Sequence, residues 1–380
     1  MKTALFYSDN DLWVPHLLNE YPAGNEAQLV LCFGAKEALS PPAAYQTLRQ
    51  KFPSAIIAMC STAGQIFHET VMDNGLVAVA MAFSKTPLTA ATVNIQHYSS
   101  SYEAATALVN QLPKENLAYI LVLSDGSLVN GSELVKGLND ASEHKMLITG
   151  GLAGDGAHFT STLTGLNKQP EEGNIIAIGF YGNNIHVTHG SQGGWDVFGP
   201  EREVTRSNGN ILFEIDNKNA LNLYKKYLGP DASNLPGSAL LFPLSVIVPG
   251  STQPVVRTIL SIDNEAQSMT FAGDIPESSV IRFMKANFDQ LTQAASKAAM
   301  AASLSEQQKP GFSLLISCVG RKLILGSRTE EEAEAVNELF GGETLQAGFY
   351  SYGEISPFNE GGNCLLHNQT MTITSFYELS

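Results

Sequence analysis

Cysteine, cationic side chains and long apolar runs are all scarce in this 380-residue sequence. The four cysteines, Cys32, Cys60, Cys318 and Cys364, are widely spaced, and no pair has the C-x-x-C spacing of a zinc or redox site. We therefore expect reduced thiols. The 22 Lys and Arg residues are outnumbered by 37 Asp and Glu, and the net charge is −15. That balance disfavours nucleic acid and anionic lipid as partners.

Membrane and enzyme signatures are missing as well. No apolar run reaches the roughly 18 residues that span a bilayer, and Asp9 and Asp11 interrupt the N-terminal apolar run too early for a signal peptide. No serine lies in a Gly-x-Ser-x-Gly elbow, and no glycine-rich loop ends in Gly-Lys-Ser/Thr. We therefore predict a cytoplasmic protein that is not membrane-bound and is not an enzyme.

Three segments of the chain share one pattern, in which an apolar strand, a helix and a second strand end in small residues and glycine. They cover residues 29–65, 121–155 and 314–354, and each continues into further strand at 76–83, 175–181 and 364–376. In the third unit we predict a short strand at 322–325. Its helix carries a Thr329/Glu332 capping box and ends at Gly341 and Gly342.

Strand, helix and strand at this spacing favour parallel neighbours joined by right-handed crossovers, with antiparallel additions from hairpins. The sequence therefore predicts an α/β or mixed α+β fold, with two domains at residues 1–216 and 217–380. Between the second and third units it predicts a helix at 220–228 and strands at 240–248, 255–262 and 269–272. A long helix is predicted at 281–304.

One polar residue follows the last glycine of each unit: Gln65, Asp155 and Glu354. In open sheets, ligands bind in the crevice beyond the strand ends, where glycine lets the backbone approach them closely. We therefore expect the three side chains to occupy comparable positions at a ligand site. The alternative is that they are solvated residues of ordinary tight turns.

Several motifs in order resemble the FIST family, the sensory domains named for F-box and intracellular signal transduction proteins. Its N-terminal domain is matched by Cys60 to Ile66, Gly150 to Gly156, Gly194-Trp195, Val204-Thr205 and Ala220 to Tyr224. Its C-terminal domain is matched by Val256 to Leu260, Phe271 to Gly273, Cys318 to Arg321, Ala347 to Ile355 and Leu366 to Thr372. The resemblance implies a small-ligand sensor that regulates a partner histidine kinase or an enzyme of cyclic di-GMP.

Some stand-alone bacterial members of this family bind haem and sense nitric oxide, so the resemblance implies noncovalent haem b as a cofactor. Haem needs an axial ligand such as imidazole in an apolar pocket. If residues 365–375 form one strand, His367 shares a face with Leu365, Met371 and Ile373, and it is the first candidate. His158, after the second glycine turn, is the second candidate.

Two other hypotheses stay open. In a non-haem sensor of amino acids or other small carboxylates, Arg257 and Arg321 would bind the carboxylate, because a guanidinium recognises it bidentately. Either arginine could equally form a structural ion pair. Tyr352, beside glycine, is a candidate for the pocket wall. The third hypothesis is an enzyme acting on a small carboxylate, with Glu354 or Asp155 as the acid or base.

Overall fold

A computed structural model describes residues 1–9, 12–18, 24–305, 308–342, 344–359 and 361–379. The described residues form 26 strands and eight α-helices, arranged as three six-stranded sheets and one eight-stranded sheet. The predicted mixed α/β class is therefore confirmed. Across these ranges, no helix has both the length and the apolar character needed to cross a bilayer.

The elements follow the predicted units along the chain. The first unit contains β1 (Lys2–Asp9), β2 (Leu12–Leu18), β3 (Leu29–Gly34), α1 (Lys36–Leu39), α2 (Pro42–Lys51), β4 (Ile56–Ser61), β5 (Gln65–Phe67), β6 (Thr70–Met72) and β7 (Leu76–Ala82). The second contains β8 (Leu88–Asn94), α3 (Ser101–Asn110), β9 (Leu117–Ser124), α4 (Gly131–Ala141), β10 (Leu147–Leu152), β11 (Thr164–Leu166) and β12 (Asn174–Tyr181).

A long antiparallel region separates the second unit from the third. It contains β13 (Ile185–Gln192), β14 (Trp195–Asn208), β15 (Ile211–Ile215), β16 (Lys218–Asn219), α5 (Ala220–Leu228), β17 (Leu244–Ile247), β18 (Val255–Arg257), β19 (Ile259–Asp263), β20 (Ser268–Phe271) and β21 (Val280–Ala286). The third unit contains α6 (Phe288–Ala301), β22 (Phe312–Cys318), α7 (Val319–Leu325), α8 (Glu330–Leu339), β23 (Gln346–Ser351), β24 (Gly353–Pro357), β25 (Cys364–His367) and β26 (Met371–Glu378).

Each unit supplies one parallel strand pair joined by helix: β3 with β4, β9 with β10, and β22 with β23. A third strand, β7, β12 or β26, then runs antiparallel beside the first strand of its pair. The central strands are buried along their length, as expected for strands covered on both faces. The prediction of repeated strand-helix-strand units with antiparallel additions is confirmed.

The three sheets exchange edge strands in a ring. The β5-β6 hairpin of the first unit extends the third sheet, β11 of the second unit extends the first sheet, and β24 and β25 of the third unit extend the second sheet. One apolar core is shared by all three sheets, and the rings of Phe33 and Phe349 stack in it with centroids 5.0 Å apart. Helices cover the outer faces. We call this assembly the sheet body.

The eight-stranded sheet forms a second region, which we call the antiparallel body and define as β14 to β21 with α5. It has its own core, in which Tyr224 and Phe283 are fully or almost fully buried. The predicted domain boundary between residues 216 and 217 lies in the turn between β15 and β16 of this body. That boundary stays a prediction.

Three expectations for the third unit are wrong. Residues 322–325 belong to helix α7, which ends at Gly326 with φ of +55°. Thr329 does not cap α8, because it is itself helical and its hydroxyl donates back to the Gly326 carbonyl. Residues 364–376 are two strands in different sheets, because the chain turns through Gln369, whose φ is +63°. The predicted glycine end of α8 is confirmed, with positive φ at Gly341 and Gly342.

The antiparallel region also departs from prediction at two helices. The expected helix 281–304 begins only at Phe288, because residues 280–286 form β21, which pairs with β14 and β17 in the sheet. The side chain of Asn287 caps α6 by accepting a hydrogen bond from the Gln290 amide. The first residues of the expected strand 240–248 instead form a short 3-10 helix, Gly237–Leu241.

Candidate functional site

The glycine-containing ends of the three units meet at one end of the sheet body. Three backbone hydrogen bonds connect them: Ala63 N to Tyr350 O at 2.8 Å, Gly154 N to Ser61 O at 2.9 Å, and Tyr352 N to Leu152 O at 3.2 Å. A Cβ on Gly154 would lie 2.8 Å from the Ala63 nitrogen, so this approach requires glycine. The turns that sequence reasoning singled out therefore form one connected structure.

Asp155 organises the loop that follows the second of these turns. Its Oδ1 accepts a hydrogen bond from the Phe159 amide at 2.8 Å, and its Oδ2 accepts from the Thr160 amide at 2.9 Å and the Thr160 hydroxyl at 2.6 Å. The Tyr352 hydroxyl also donates to it. Burial alone would raise the pKa of Asp155, but these hydrogen bonds outweigh it, and the pKa is lowered.

Tyr352 joins the third unit to the same loop. Its hydroxyl accepts from the Phe159 amide at 3.0 Å, and its ring stacks on the Phe159 ring with centroids 4.6 Å apart and planes 20° apart. Burial and the hydrogen bond to Asp155 raise the pKa of Tyr352, so the phenol stays neutral. The stack presents an aromatic surface at the edge of the sheet body.

That surface borders a crevice of about 420 Å³ between the two bodies. From the sheet body, the lining residues are 126–131, Leu152, Phe159, Thr160 and Tyr352. From the antiparallel body, they are Asn210, Leu260, Phe271, Ala272, Gly273 and Asp274. The crevice thus combines loops of two independent cores, an arrangement typical of small-ligand sites.

Three large apolar side chains are exposed in this crevice. Leu128 is 48% exposed, Phe159 45% and Leu260 46%, and they come from both bodies. Exposed apolar residues that converge on one concavity indicate a binding surface, because isolated ones are common but clusters are not. Sequence reasoning missed these residues, although Leu128 and Phe159 follow the very strand ends that it identified.

The polar groups on the sheet-body side are fixed by local hydrogen bonds. The Asp125 carboxylate accepts the amides of Ser127 at 2.8 Å and Leu128 at 2.6 Å. The Asn130 side-chain oxygen caps α4 by accepting the amides of Ser132 and Glu133. The remaining amide nitrogen of Asn130 lies 3.5 Å from Asp274 Oδ1, across the crevice. The four backbone amides named here are therefore already hydrogen-bonded within the sheet body.

The other two residues of the predicted polar trio lie in the core. Gln65 is 0% exposed; with its amide oriented to satisfy both ends, it donates to Met72 O and accepts from Thr62 Oγ1 and Ala35 N. Glu354 is also 0% exposed and does not line the crevice. The three residues occupy equivalent ends of the repeated units, but only Asp155 borders the crevice loop.

Glu354 is a buried carboxyl with three hydrogen bonds. It accepts from the Ser351 hydroxyl at 2.7 Å, the Thr370 hydroxyl at 2.8 Å and the Thr370 amide at 3.2 Å. Burial raises the pKa of Glu354 to about 8, and the hydrogen bonds offset this only in part. The group stabilises the turn between β25 and β26 and has no access to a substrate in the crevice.

Arg321 forms a structural ion pair. It is fully buried, its Nε donates to Glu332 Oε1 at 2.7 Å, and Glu332 is also fully buried. Its other nitrogens donate to Glu332 and to the carbonyls of Leu291, Gly193 and Gln369. The guanidinium thus ties α7 to α8, α6 and the loop before β14. The structure places Arg321 in the core rather than at the crevice.

Arg257 connects the two bodies. It is 6% exposed and donates to the carbonyls of Leu366 at 3.0 Å, Asp274 at 3.1 Å and Val256 at 3.2 Å. Burial lowers the pKa of Arg257 to about 10, while the nearby Asp274 raises it. It lies behind Gly273, on which a Cβ would come within 2.9 Å of its Nε. Its guanidinium binds backbone of both bodies and does not line the crevice.

The two candidate haem ligands differ in exposure. His367 is 2% exposed and its Nε2 donates to the Ser356 carbonyl at 2.9 Å. Burial lowers its pKa to about 4, so the imidazole is neutral. His158 is exposed beside the crevice loop. Within the described ranges, no group of three or more His, Cys, Asp or Glu residues is arranged to hold a metal ion.

The crevice lies where loops of two separate apolar cores meet. The family model of the FIST N domain matches residues 28–218, and that of the FIST C domain matches residues 220–357. The chain belongs to the FIST family, whose domains are sensory, ligand-binding domains of signal transduction. The predicted family is confirmed.

Two further comparisons add little. No curated protein matches the chain. Among solved structures, the cyanuric acid hydrolase of A. caulinodans is similar at 7% sequence identity and a TM-score of 0.37, with 94% of this chain and 92% of that chain covered. A likeness at this level carries no conclusion about activity.

Proposed function

We propose that the crevice between the two bodies is the ligand site of this sensory protein. The observation that carries the proposal is the convergence of Leu128, Phe159 and Leu260 from both bodies on one concavity beside the Tyr352 stack. A ligand in this position contacts the ends of β9 and β10 and the β19-β20 region at once. The family supports a sensory role, and the crevice supplies the binding surface.

In this proposal, ligand binding is signalled by a change in the position of one body relative to the other. A ligand that contacts both bodies binds one arrangement better than another and so shifts the population toward it. Besides the continuous chain, the described contacts between the bodies include the bond from Arg257 to Leu366 and that from Trp195 Nε1 to Gln369 O at 2.8 Å. The proposed reader is a partner histidine kinase or cyclic di-GMP enzyme in the cytoplasm.

The residues around the haem candidates fit haem poorly. His367 is buried, gives its Nε2 hydrogen to a carbonyl, and lines neither the crevice nor the larger cavity of about 620 Å³ beside β13. His158 is exposed, whereas a haem axial ligand lies in a buried apolar pocket. We therefore favour a non-haem ligand and expect no stoichiometric Soret band when the protein is mixed with haem. A band that shifts with nitric oxide would contradict this choice.

The enzyme hypothesis has less support than the sensor hypothesis. Glu354 is enclosed by the sheet body, and each Asp155 oxygen already accepts hydrogen bonds from its own loop or from Tyr352. A general acid or base must reach the proton that it transfers. Neither carboxyl presents a free oxygen to the crevice.

The site can be tested by thermal-shift screening of small metabolites against a matched pair of variants. Leu260→Ser removes an apolar side chain that is 46% exposed in the crevice, whereas Leu323→Ser removes one that is 43% exposed on α7. A ligand of the crevice raises Tm of the wild type and of Leu323→Ser in proportion to its concentration, and loses its effect on Leu260→Ser. Ligands that stabilise both variants equally would contradict the proposal.

A further inference from the structure

We infer that the crevice selects a ligand carrying a positively charged amine beside an apolar, preferably aromatic, group, and that it disfavours a carboxylate. The inference rests on the proposed function, because it concerns the same site. It is carried by the charge and the aromatic surfaces of the residues that line the crevice.

Asp274 gives the crevice its charge. It is half-buried, and its neighbour Gly273 is packed against the structural Arg257. Among the described residues, the only hydrogen bond to its carboxylate is the long one of 3.5 Å from Asn130. An ammonium group donates shorter, charge-assisted hydrogen bonds to such a carboxylate. Of the described residues that line the crevice, none is Lys or Arg.

The charges around the crevice also favour a positively charged ligand. Arg257 packs behind Gly273 and interacts electrostatically with Asp274, but its hydrogen-bond donors face the carbonyls of Leu366, Asp274 and Val256 rather than the crevice. On the opposite wall, Asp155 lies behind Tyr352 with a lowered pKa and therefore stays ionised. The whole chain carries −15. An anionic ligand would meet this field without a cationic partner in the crevice.

The apolar lining of the crevice accounts for the preference for an apolar or aromatic group on the ligand. Phe159, stacked on Tyr352, presents aromatic surface in the same cavity as Leu128 and Leu260. Aromatic faces attract cations as well as flat apolar groups, and the attraction increases where water is excluded. An amine attached to a ring can thus contact Asp274 and the aromatic wall together.

The test is isothermal titration calorimetry with three probes of one shape: 2-phenylethylammonium, 2-phenylethanol and 3-phenylpropionate. The proteins are the wild type, Asp274→Asn, Leu260→Ser and the control Leu323→Ser. We expect 2-phenylethylammonium to bind at least about 10-fold more tightly than the other two probes. Asp274→Asn should remove that advantage without changing the affinity for 2-phenylethanol, and Leu323→Ser should change nothing.

The outcomes separate this inference from the proposed function. If the three probes bind with equal affinity and all weaken in Leu260→Ser, the crevice is a ligand site and the preference for an amine is wrong. A preference for 3-phenylpropionate overturns the inference in the same way. If no probe binds, the inference is overturned, and the metabolite screen alone decides the proposed function. If Asp274→Asn still binds 2-phenylethylammonium preferentially, a group other than Asp274 recognises the amine. That result also overturns the inference.

Discussion

Arg321 and Arg257 are both almost inaccessible to solvent, yet their hydrogen bonds go to different kinds of partner. Arg321 is neutralised by Glu332 inside the sheet body and bonded to three further carbonyls. Arg257 lies between the bodies, and only backbone carbonyls accept its hydrogen bonds. Breaking a buried ion pair costs more than losing hydrogen bonds to carbonyls, so we expect the junction at Arg257 to rearrange more easily than the core around Arg321. The proposed ligand crevice lies beside the junction that contains Arg257.

The largest effect is expected from breaking the ion pair of the sheet body. Glu332→Gln leaves the Arg321 charge buried without its partner, and we expect the free energy of unfolding to fall by about 3 to 5 kcal/mol. Denaturant unfolding measures the change. The matched control is Glu331→Gln on the same helix, whose side chain is 37% exposed and pairs with Arg328, and which should cost less than about 1 kcal/mol. Equal effects of the two variants would contradict the comparison.

The next effect concerns the pH dependence of the sheet body. Because burial raises the pKa of Glu354 to about 8 in the folded protein, against about 4.3 in an unfolded chain, the folded state binds this proton more tightly. Its contribution to stability is therefore full below about pH 4.3 and is lost as the pH rises toward 8, by at most about 1.4 kcal/mol per pH unit.

Comparison with Glu354→Gln isolates this contribution. Between about pH 5 and 8, the wild type should lose roughly 2 to 4 kcal/mol of stability relative to the variant, measured by denaturant unfolding at each pH. His367 titrates in the opposite sense, because its lowered pKa makes the folded state less stable as the pH falls below about 6.5. It is present in both proteins and cancels in the difference. A difference that is constant with pH would show that Glu354 is ionised throughout.

A smaller effect is expected at the junction between the bodies. Arg257→Met keeps apolar bulk but removes the donors to Leu366 and Asp274, and we expect a loss of about 1 to 3 kcal/mol. Hydrogen exchange should quicken in β18 and β25 more than in the strands of the central core. The control is Arg206→Met in the same body, whose side chain is 56% exposed and pairs with Glu214. Uniformly faster exchange would mean that the junction is no weaker than the core.

The smallest effect should come from Tyr352→Phe. The variant keeps the ring stack on Phe159 but removes the hydroxyl that bonds Asp155 and the Phe159 amide. We expect a loss of about 1 kcal/mol and a higher pKa of Asp155, because one hydrogen bond that stabilises its ionised form is gone. NMR titration of the Asp155 carboxyl measures the second effect. An unchanged pKa would show that the loop amides alone determine it.

The sequence predicted the repeated part of the fold well because its signals are local. The three strand-helix-strand units appear as predicted, and the helix Ala220–Leu228 has the expected bounds. It could not predict that the units exchange edge strands, since pairing between distant segments leaves no local pattern. For the same reason the strand at 364–376 was not divided, although its two halves belong to different sheets.

The site was predicted less completely than the fold. Asp155 and Tyr352 were identified from their glycine neighbours and do lie at the crevice or its loop. Arg257 and Arg321 have the side chain expected of a carboxylate site, but their partners are fixed by tertiary packing. Leu260 and Asp274 lie on strands and turns of the antiparallel body with no distinguishing local pattern. Only the fold brings them opposite Phe159.

The most direct test of the account is a distance between the two bodies measured with and without ligand. The four native cysteines are buried, so spin labels would attach selectively to Lys136→Cys on α4 and Lys226→Cys on α5, both at exposed positions. With saturating 2-phenylethylammonium, or a hit of the metabolite screen, we predict a shifted and narrower distance distribution that is absent when Leu260→Ser is added. Identical distributions with and without bound ligand would contradict the claim that binding in the crevice moves one body against the other.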